Sequence, residues 1–137
     1  VAVFNIISDT RETSSGLKQL FDFLIDFKNF KSILPEDKIQ DFKYNEQECS
    51  FVINGVTSLT IKRMEEVPYE SILFSSEGIA KFNFHLKVFF IGNSTLPGKC
   101  RIELSGDINP FIKAMAEKPL TSLVNTMSQK LAELILI

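Results

Sequence analysis

His85 is the single histidine of the chain and the natural candidate for proton transfer near neutral pH. Its neighbours in strand phase, Asn83 and Lys87, put it on the wet side of an alternating strand, where it reads as a surface residue. Asp22 and Asp26 stand one helical turn apart, a spacing that would set two carboxylates on one face. No further ligand cluster accompanies them, so a solvated helix face is the better reading. Glu65-Glu66 and Arg63 read as strand-end charges. Serine, aspartate and histidine are all present, but no Gly-x-Ser-x-Gly elbow presents a nucleophile. Nor does a Gly-rich loop cradle a phosphate, and there is no CxxC or His-Glu-x-x-His spacing for a metal. An interior enzyme site would need a polar side chain aimed inward, and Tyr44, Tyr69 and Arg63 are the nominees.

Composition narrows the partners. The formal charge of −2 gives no general attraction to nucleic acid or to an anionic membrane. Basic residues are scattered among acids without an aromatic-interleaved patch, so nucleic-acid binding is unsupported. No apolar run approaches the ~20 residues that span a bilayer, which argues against integral membrane association. Thirteen Phe stand against two Tyr and no Trp, so nearly all the aromatic area lacks a polar handle and suits a packed core or an apolar pocket. Cys49 and Cys100 have no metal-ligand spacing, and sequence does not decide whether they meet in space. Val1–Ile7 lacks the basic start and cleavage site of a signal peptide. The expectation is a soluble, cytoplasmic protein with both thiols free, one domain spanning residues 1–137, and no cofactor.

The elements that would position these residues follow from periodicity. Val1–Ser8 reads as a strand and Asp9–Ser15 as a polar loop. Ser14 or Ser15 can cap a helix with Leu17, Leu20, Phe21 and Leu24 on one face, and a second helical turn, Asn29–Ile33, precedes Pro35. Ile39–Tyr44, Glu48–Ile53, Val56–Glu66 and Ser71–Ser76 read as strands. Asn54-Gly55 is a strong hairpin signal, since a type I′ turn needs positive φ at both positions. Val56 is out of phase with Leu59 and Ile61, which a bulge near Ser58 would reconcile. Phe82, Phe84, Leu86, Val88 and Phe90 alternate with polar residues, as do Cys100, Ile102, Leu104 and Ile108. That is the mark of a sheet with one buried face. Last comes a helix from Asn109 to about Leu134, with Asn109 as cap, Pro110 at the first position and an apolar stripe at Leu120, Leu123, Val124, Met127, Leu131 and Leu134. Pro119 inside it predicts a bend or break, or the start of a separate helix.

The order is one strand, two short helices, six strands and a long helix. With Phe21-Asp22-Phe23-Leu24-Ile25-Asp26-Phe27, then Phe30 and Leu34-Pro35, and with the Pro-containing terminal helix, the chain resembles the START-like, polyketide cyclase and lipid-transfer (SRPBCC, helix-grip) superfamily over essentially its whole length. The resemblance implies an α+β fold: a curved antiparallel sheet of about seven strands wrapped around the C-terminal helix. It also implies an apolar cavity between sheet and helix. Phe82, Phe84, Leu86, Val88, Ile102 and Leu104 would line it from the sheet and Met115, Leu120, Leu123 and Met127 from the helix, with Phe27 and Phe30 near the mouth. The expected function is reversible binding of an apolar small molecule such as a lipid, sterol, quinone or polyketide. The alternatives are a polyketide cyclase or dehydratase, which needs a buried acid, base or donor, and a chaperone-contacting module, which needs an exposed apolar patch.

Overall fold

The computed structural model describes residues 2–54, 58–76 and 83–136. Among these, eight strands form one antiparallel sheet: β1 (Ala2–Ile7), β2 (Arg11–Gly16), β3 (Ile39–Tyr44), β4 (Glu48–Ile53), β5 (Ser58–Val67), β6 (Ser71–Ser76), β7 (Asn83–Ile91) and β8 (Pro97–Ile108). The helices are α1 (Leu17–Leu24), a 3₁₀ helix (Phe27–Ile33) and α2 (Pro110–Glu133). The strand order is β1-β8-β7-β6-β5-β4-β3, with β2 also pairing with β8. This is the helix-grip arrangement that the alternating strands and the terminal stripe called for. Phe84, Leu86, Val88 and Phe90 of β7 and Cys100, Ile102 and Leu104 of β8 face inward and are buried. Their neighbours Asn83 and His85 are exposed.

The segment expected to be a polar loop is instead β2. Arg11 and Glu12 pair with Cys100 and Lys99 on β8, the same strand whose other half pairs with β1. β1 and β2 are thus one edge interrupted at Ser8–Thr10. Ser8 spans the interruption: its N–H donates to the Ile102 carbonyl, and its hydroxyl accepts from the Ile102 N–H, both at 2.9 Å. Polar composition hid a strand whose alternate residues Thr13 and Ser15 are buried but hydrogen-bonded. Neither Ser14 nor Ser15 caps α1. Gly16 holds that position and its N–H donates to Gln19 Oε1 at 3.1 Å, while Ser15 donates to the Leu134 carbonyl at 2.7 Å and accepts from Leu136 N–H at 2.8 Å.

Among the described residues no bulge falls at Ser58 itself, and the positions just before it lie outside them. Pairing of β5 with β4 is regular from Ser58 to Lys62, and the register shift falls between Arg63 and Glu65, against β6. Gly55 and Val56, which carried the hairpin and phase arguments, lie outside the described residues. The β5–β6 turn runs from Val67 through Pro68 and Tyr69, with Glu70 N–H donating to the Val67 carbonyl at 2.9 Å. Tyr69 takes the left-handed φ of 65° that such turns usually give to glycine. Its ring meets Phe21 edge-on at 5.5 Å, and the Lys18 ammonium sits 5.3 Å from its centroid.

α2 is one helix through Pro119, with neither a break nor a second start there. Asn109 caps it, its side chain accepting from Phe111 N–H at 2.9 Å. The carbonyl that Pro119 leaves without its helical donor belongs to Met115, an exposed position where water can donate instead. The inward face is Ala116, Leu120, Leu123, Val124, Met127, Ser128, Leu131 and Ala132.

Gly106 pairs with Phe4 on one side and Phe84 on the other, both buried. A Cβ there would collide with the Asn83 carbonyl oxygen and stand 2.9 Å from Phe84 Cα. The backbones of β7 and β8 would have to part to admit it. Gly106→Ala is therefore expected to cost about 1–3 kcal/mol, as overpacking does. Urea denaturation should show the lowered midpoint with an unchanged slope.

Candidate functional site

Where the inner face of the sheet meets α2, no fully buried side chain among the described residues is charged. Phe84, Leu86, Val88, Ile102 and Leu104 from the strands and Leu120, Leu123 and Met127 from the helix are all buried, as are Phe27 and Phe30. Phe27, Phe30 and Phe74 form a cluster with ring centroids 5.4–6.2 Å apart. Phe82 lies outside the described residues. Met115 departs from expectation: it is 72% exposed. Stepping back from Leu120 and Leu123 by one and two helical turns gives Ala116, which is buried, so Met115 falls about 100° off the inward line. Carrying the stripe backward across Pro119 by period alone would have found Ala116.

Buried polar side chains among the described residues are all hydroxyls: Ser8, Thr13, Ser15, Ser71 and Ser128. Two of them, Ser15 and Ser128, are tied to backbone near the C-terminal end of α2. Ser128 donates to the Asn125 carbonyl at 3.1 Å and accepts from Arg11 Nε at 3.3 Å. Thr13 donates to the Ser15 carbonyl and accepts from Gly98 N–H, both at 2.9 Å. Among the described residues no cluster of histidine, cysteine, aspartate and glutamate could hold a metal.

The polar nominees lie elsewhere. Tyr44 is 57% exposed on the edge strand β3, and Tyr69 belongs to the outer turn. Arg63 is fully engaged as a staple. Its guanidinium donates to the Ile25 carbonyl and, at 2.7 Å, to that of Glu46, pairs with Glu66 at 3.3 Å, and lies 4.8 Å from the Phe27 ring centroid. It fixes the α1–3₁₀ junction to β5, a use that suits its planar fork of donors. His85 is exposed, as its phase predicted. Asp22 pairs with Lys18 at 3.0 Å, and Asp26, beyond the end of α1, caps the 3₁₀ helix through Lys28 N–H at 3.1 Å. They do not form a site together.

A cleft opens beside Pro119. Pro35, Lys38, Ile53, Asn54, Lys118, Pro119, Ser122 and Leu123 enclose about 500 Å³, within the range of small-molecule sites. One wall is the segment after the 3₁₀ helix, tied to α2 twice: Lys130 Nζ donates to the Leu34 carbonyl at 2.8 Å and Lys38 Nζ to Ser122 Oγ at 3.3 Å. Lys38 is itself fixed by its N–H to the Pro35 carbonyl at 3.1 Å and by Asn54 N–H to its carbonyl at 2.9 Å. Of these wall residues only Leu123 was nominated by the sequence. Exposed lysines leave no periodic signal, and Pro35 and Pro119 read only as punctuation.

Cys49 and Cys100 are free and buried. Burial, aided by the Glu48 charge, pushes the Cys49 thiol from 9.0 up to about 12. Burial also raises Cys100 to about 11, against a smaller lowering by Arg11. Both are therefore inert protonated core groups. In the folded state neither thiol should react with a disulfide reagent near pH 8, whereas in urea both should label fast. The unfolded thiols ionise first as pH rises, so the stability they contribute is complete below about pH 9 and falls as pH climbs toward 11–12. Denaturation midpoints measured across that window, compared with a Cys49→Ala, Cys100→Ala double variant, check the sign.

The sequence matches no family model and no curated protein. Solved structures do resemble it. Norcoclaurine synthase from Thalictrum flavum, in complex with dopamine and hydroxybenzaldehyde, superposes with a TM-score of 0.66 at 8% identity, covering 96% of this chain and 85% of that one. The di-domain ARO/CYC BexL from the BE-7585A biosynthetic pathway gives 0.64 at 11% identity, covering 98% of this chain and 51% of its own. The chain thus spans about half of that protein. DR_A0006 from Deinococcus radiodurans gives 0.55 at 11% identity, with 85% and 98% covered. At such identities it is the architecture that is shared: the chain has the same helix-grip fold as these structures.

Proposed function

We propose that the protein reversibly binds an apolar small molecule between the sheet and α2, reached through the cleft at Pro119, and leaves it chemically unchanged. The observation that carries this reading is the absence of any charged side chain from the buried inner surface among the described residues, next to a cleft with Pro35, Ile53, Pro119 and Leu123 in its wall. Phe84, Leu86, Val88, Ile102, Leu104, Leu120, Leu123 and Met127 supply the apolar lining, with Phe27 and Phe30 behind it. Burial of ligand surface contributes roughly 25 cal/mol per Å², and one or two hydroxyls or backbone groups suffice to orient the ligand. Selectivity is then loose, because an extra methylene discriminates by only about 1–3 kcal/mol. A cyclase-type reaction would call for an inward acid, base or donor, and Tyr44, Tyr69 and Arg63 are occupied or exposed elsewhere. No helix among the described residues is long and apolar enough to cross a membrane, in keeping with a cytoplasmic carrier.

Native mass spectrometry of freshly purified protein, followed by a thermal-shift screen of fatty acids, sterols, quinones and aromatic polyketides, tests the reading. A ligand at about 100 times its dissociation constant should stabilise the fold by roughly 2.7 kcal/mol. That corresponds to a rise in Tm of very roughly 5–15 °C for a domain of this size. Met115→Ala should bind as the parent does. An empty protein with no shift across the set would overturn the proposal, and turnover of a bound polyketide would move it to the enzyme reading.

A further inference from the structure

We infer that the ligand is an anionic amphiphile, a fatty-acid-like carboxylate whose tail lies along the apolar wall of the cleft and whose head group is met at the mouth by Lys38 and Lys118. This rests on the binding reading above and names its ligand class. The cleft wall divides by chemistry: Pro35, Ile53, Pro119 and Leu123 are apolar, whereas Lys38 and Lys118 bring two positive charges from opposite sides, one at the start of β3 and one on α2. Neither lysine has a carboxylate within ion-pair distance among the described residues, although lysines and arginines elsewhere on the protein, such as Lys18 with Asp22 and Arg101 with Glu103, do. Glu117 lines the neighbouring groove on the outer face of α2, together with Lys118, and not the cleft itself.

Lys38 is held in place. Its backbone is fixed at both its N–H and its carbonyl, and its ammonium reaches across to the neutral hydroxyl of Ser122. An ammonium carries three donors, so a bond to one hydroxyl leaves the positive charge uncompensated and two donors open. A carboxylate arriving at the mouth would take those donors in charge-assisted hydrogen bonds. With Ser122 and Asn54 in the same wall, the mouth offers four polar side chains, each with a hydrogen-bond donor for an anion. A neutral sterol or quinone would use the apolar wall but not this head-group site. A cationic amphiphile would be repelled by it.

The test compares ligands with one tail and different heads, dodecanoate, dodecanol and dodecyltrimethylammonium, each below its micellar concentration, by titration calorimetry. Dodecanoate should bind about three- to tenfold more tightly than dodecanol, the range that two partly exposed ion pairs supply. The cation should bind more weakly than the alcohol. The preference for dodecanoate should shrink as salt is raised from about 0.1 M to 1 M, where screening shortens from about 10 Å to 3 Å. Lys38→Gln with Lys118→Gln should abolish that preference in a variant that still folds and still binds dodecanol, and Lys99→Gln at the start of β8 should leave the preference as it is. Equal affinity for acid and alcohol, or a preference untouched in the double variant, overturns the anionic head group while apolar binding stands. Failure of all three amphiphiles to bind overturns the anionic amphiphile as ligand, whereas the broader binding reading falls only with the thermal-shift screen.

Discussion

Ala116, Leu120, Leu123, Val124, Met127, Leu131 and Ala132 can leave water together only if a concave surface closes over them, and a flat sheet offers none. The curvature is therefore the feature on which the other parts depend. It comes from breaks in strand regularity. The edge beside β8 is interrupted at Ser8–Thr10, and the Ser8 hydroxyl takes the Ile102 N–H that the ladder would otherwise leave without a partner. Register shifts between Gln40 and Lys43 and between Arg63 and Glu65 add twist on the other half of the sheet. Gly106 lets β7 and β8 approach where two phenylalanines need the room.

The grip is uneven along the helix. Toward its C-terminal end α2 is tied by hydroxyls and carbonyls: Ser128 to Arg11, and the Leu134–Leu136 backbone to Ser15. Toward its N-terminal end the attachments thin out, Phe111 and Met115 are exposed, and the cleft opens at Pro119. The clamped end and the end beside the cleft thus hold the helix with unequal firmness.

Periodicity made the central strands and the helix legible, because an alternating or 3.6-residue pattern is imposed directly by one-sided burial. β3, β4 and β6 lie where the sequence places them, and α2 ends within a residue of its expected bound. β2 was hidden because its inward residues are Thr13 and Ser15, whose hydroxyls are satisfied by backbone partners and so can be buried. Hydrophobicity alone cannot find such a strand. Met115 was misplaced for a different reason: upstream of Pro119 the buried position of the stripe is the small Ala116, with Ile112 partly buried one turn before it, and a search for large side chains passes over an alanine. The cleft could not be read at all, since it exists only where Lys38, Asn54 and Lys118 are brought together by tertiary packing.

Tyr69 carries a consequence for the route of folding. A side chain held in the left-handed region costs about 1–2 kcal/mol over the right-handed one, so the β5–β6 turn is locally disfavoured where glycine would make it easy. What offsets the cost is contact with Phe21 and Lys18 on α1, remote in sequence. The hairpin on its own lacks the contacts that offset this cost. Such dependence on distant contacts belongs to slow-folding β-rich topologies, in which loop closure precedes the reward of pairing. It also makes the tyrosine ring a built-in reporter of the moment at which helix and sheet first meet.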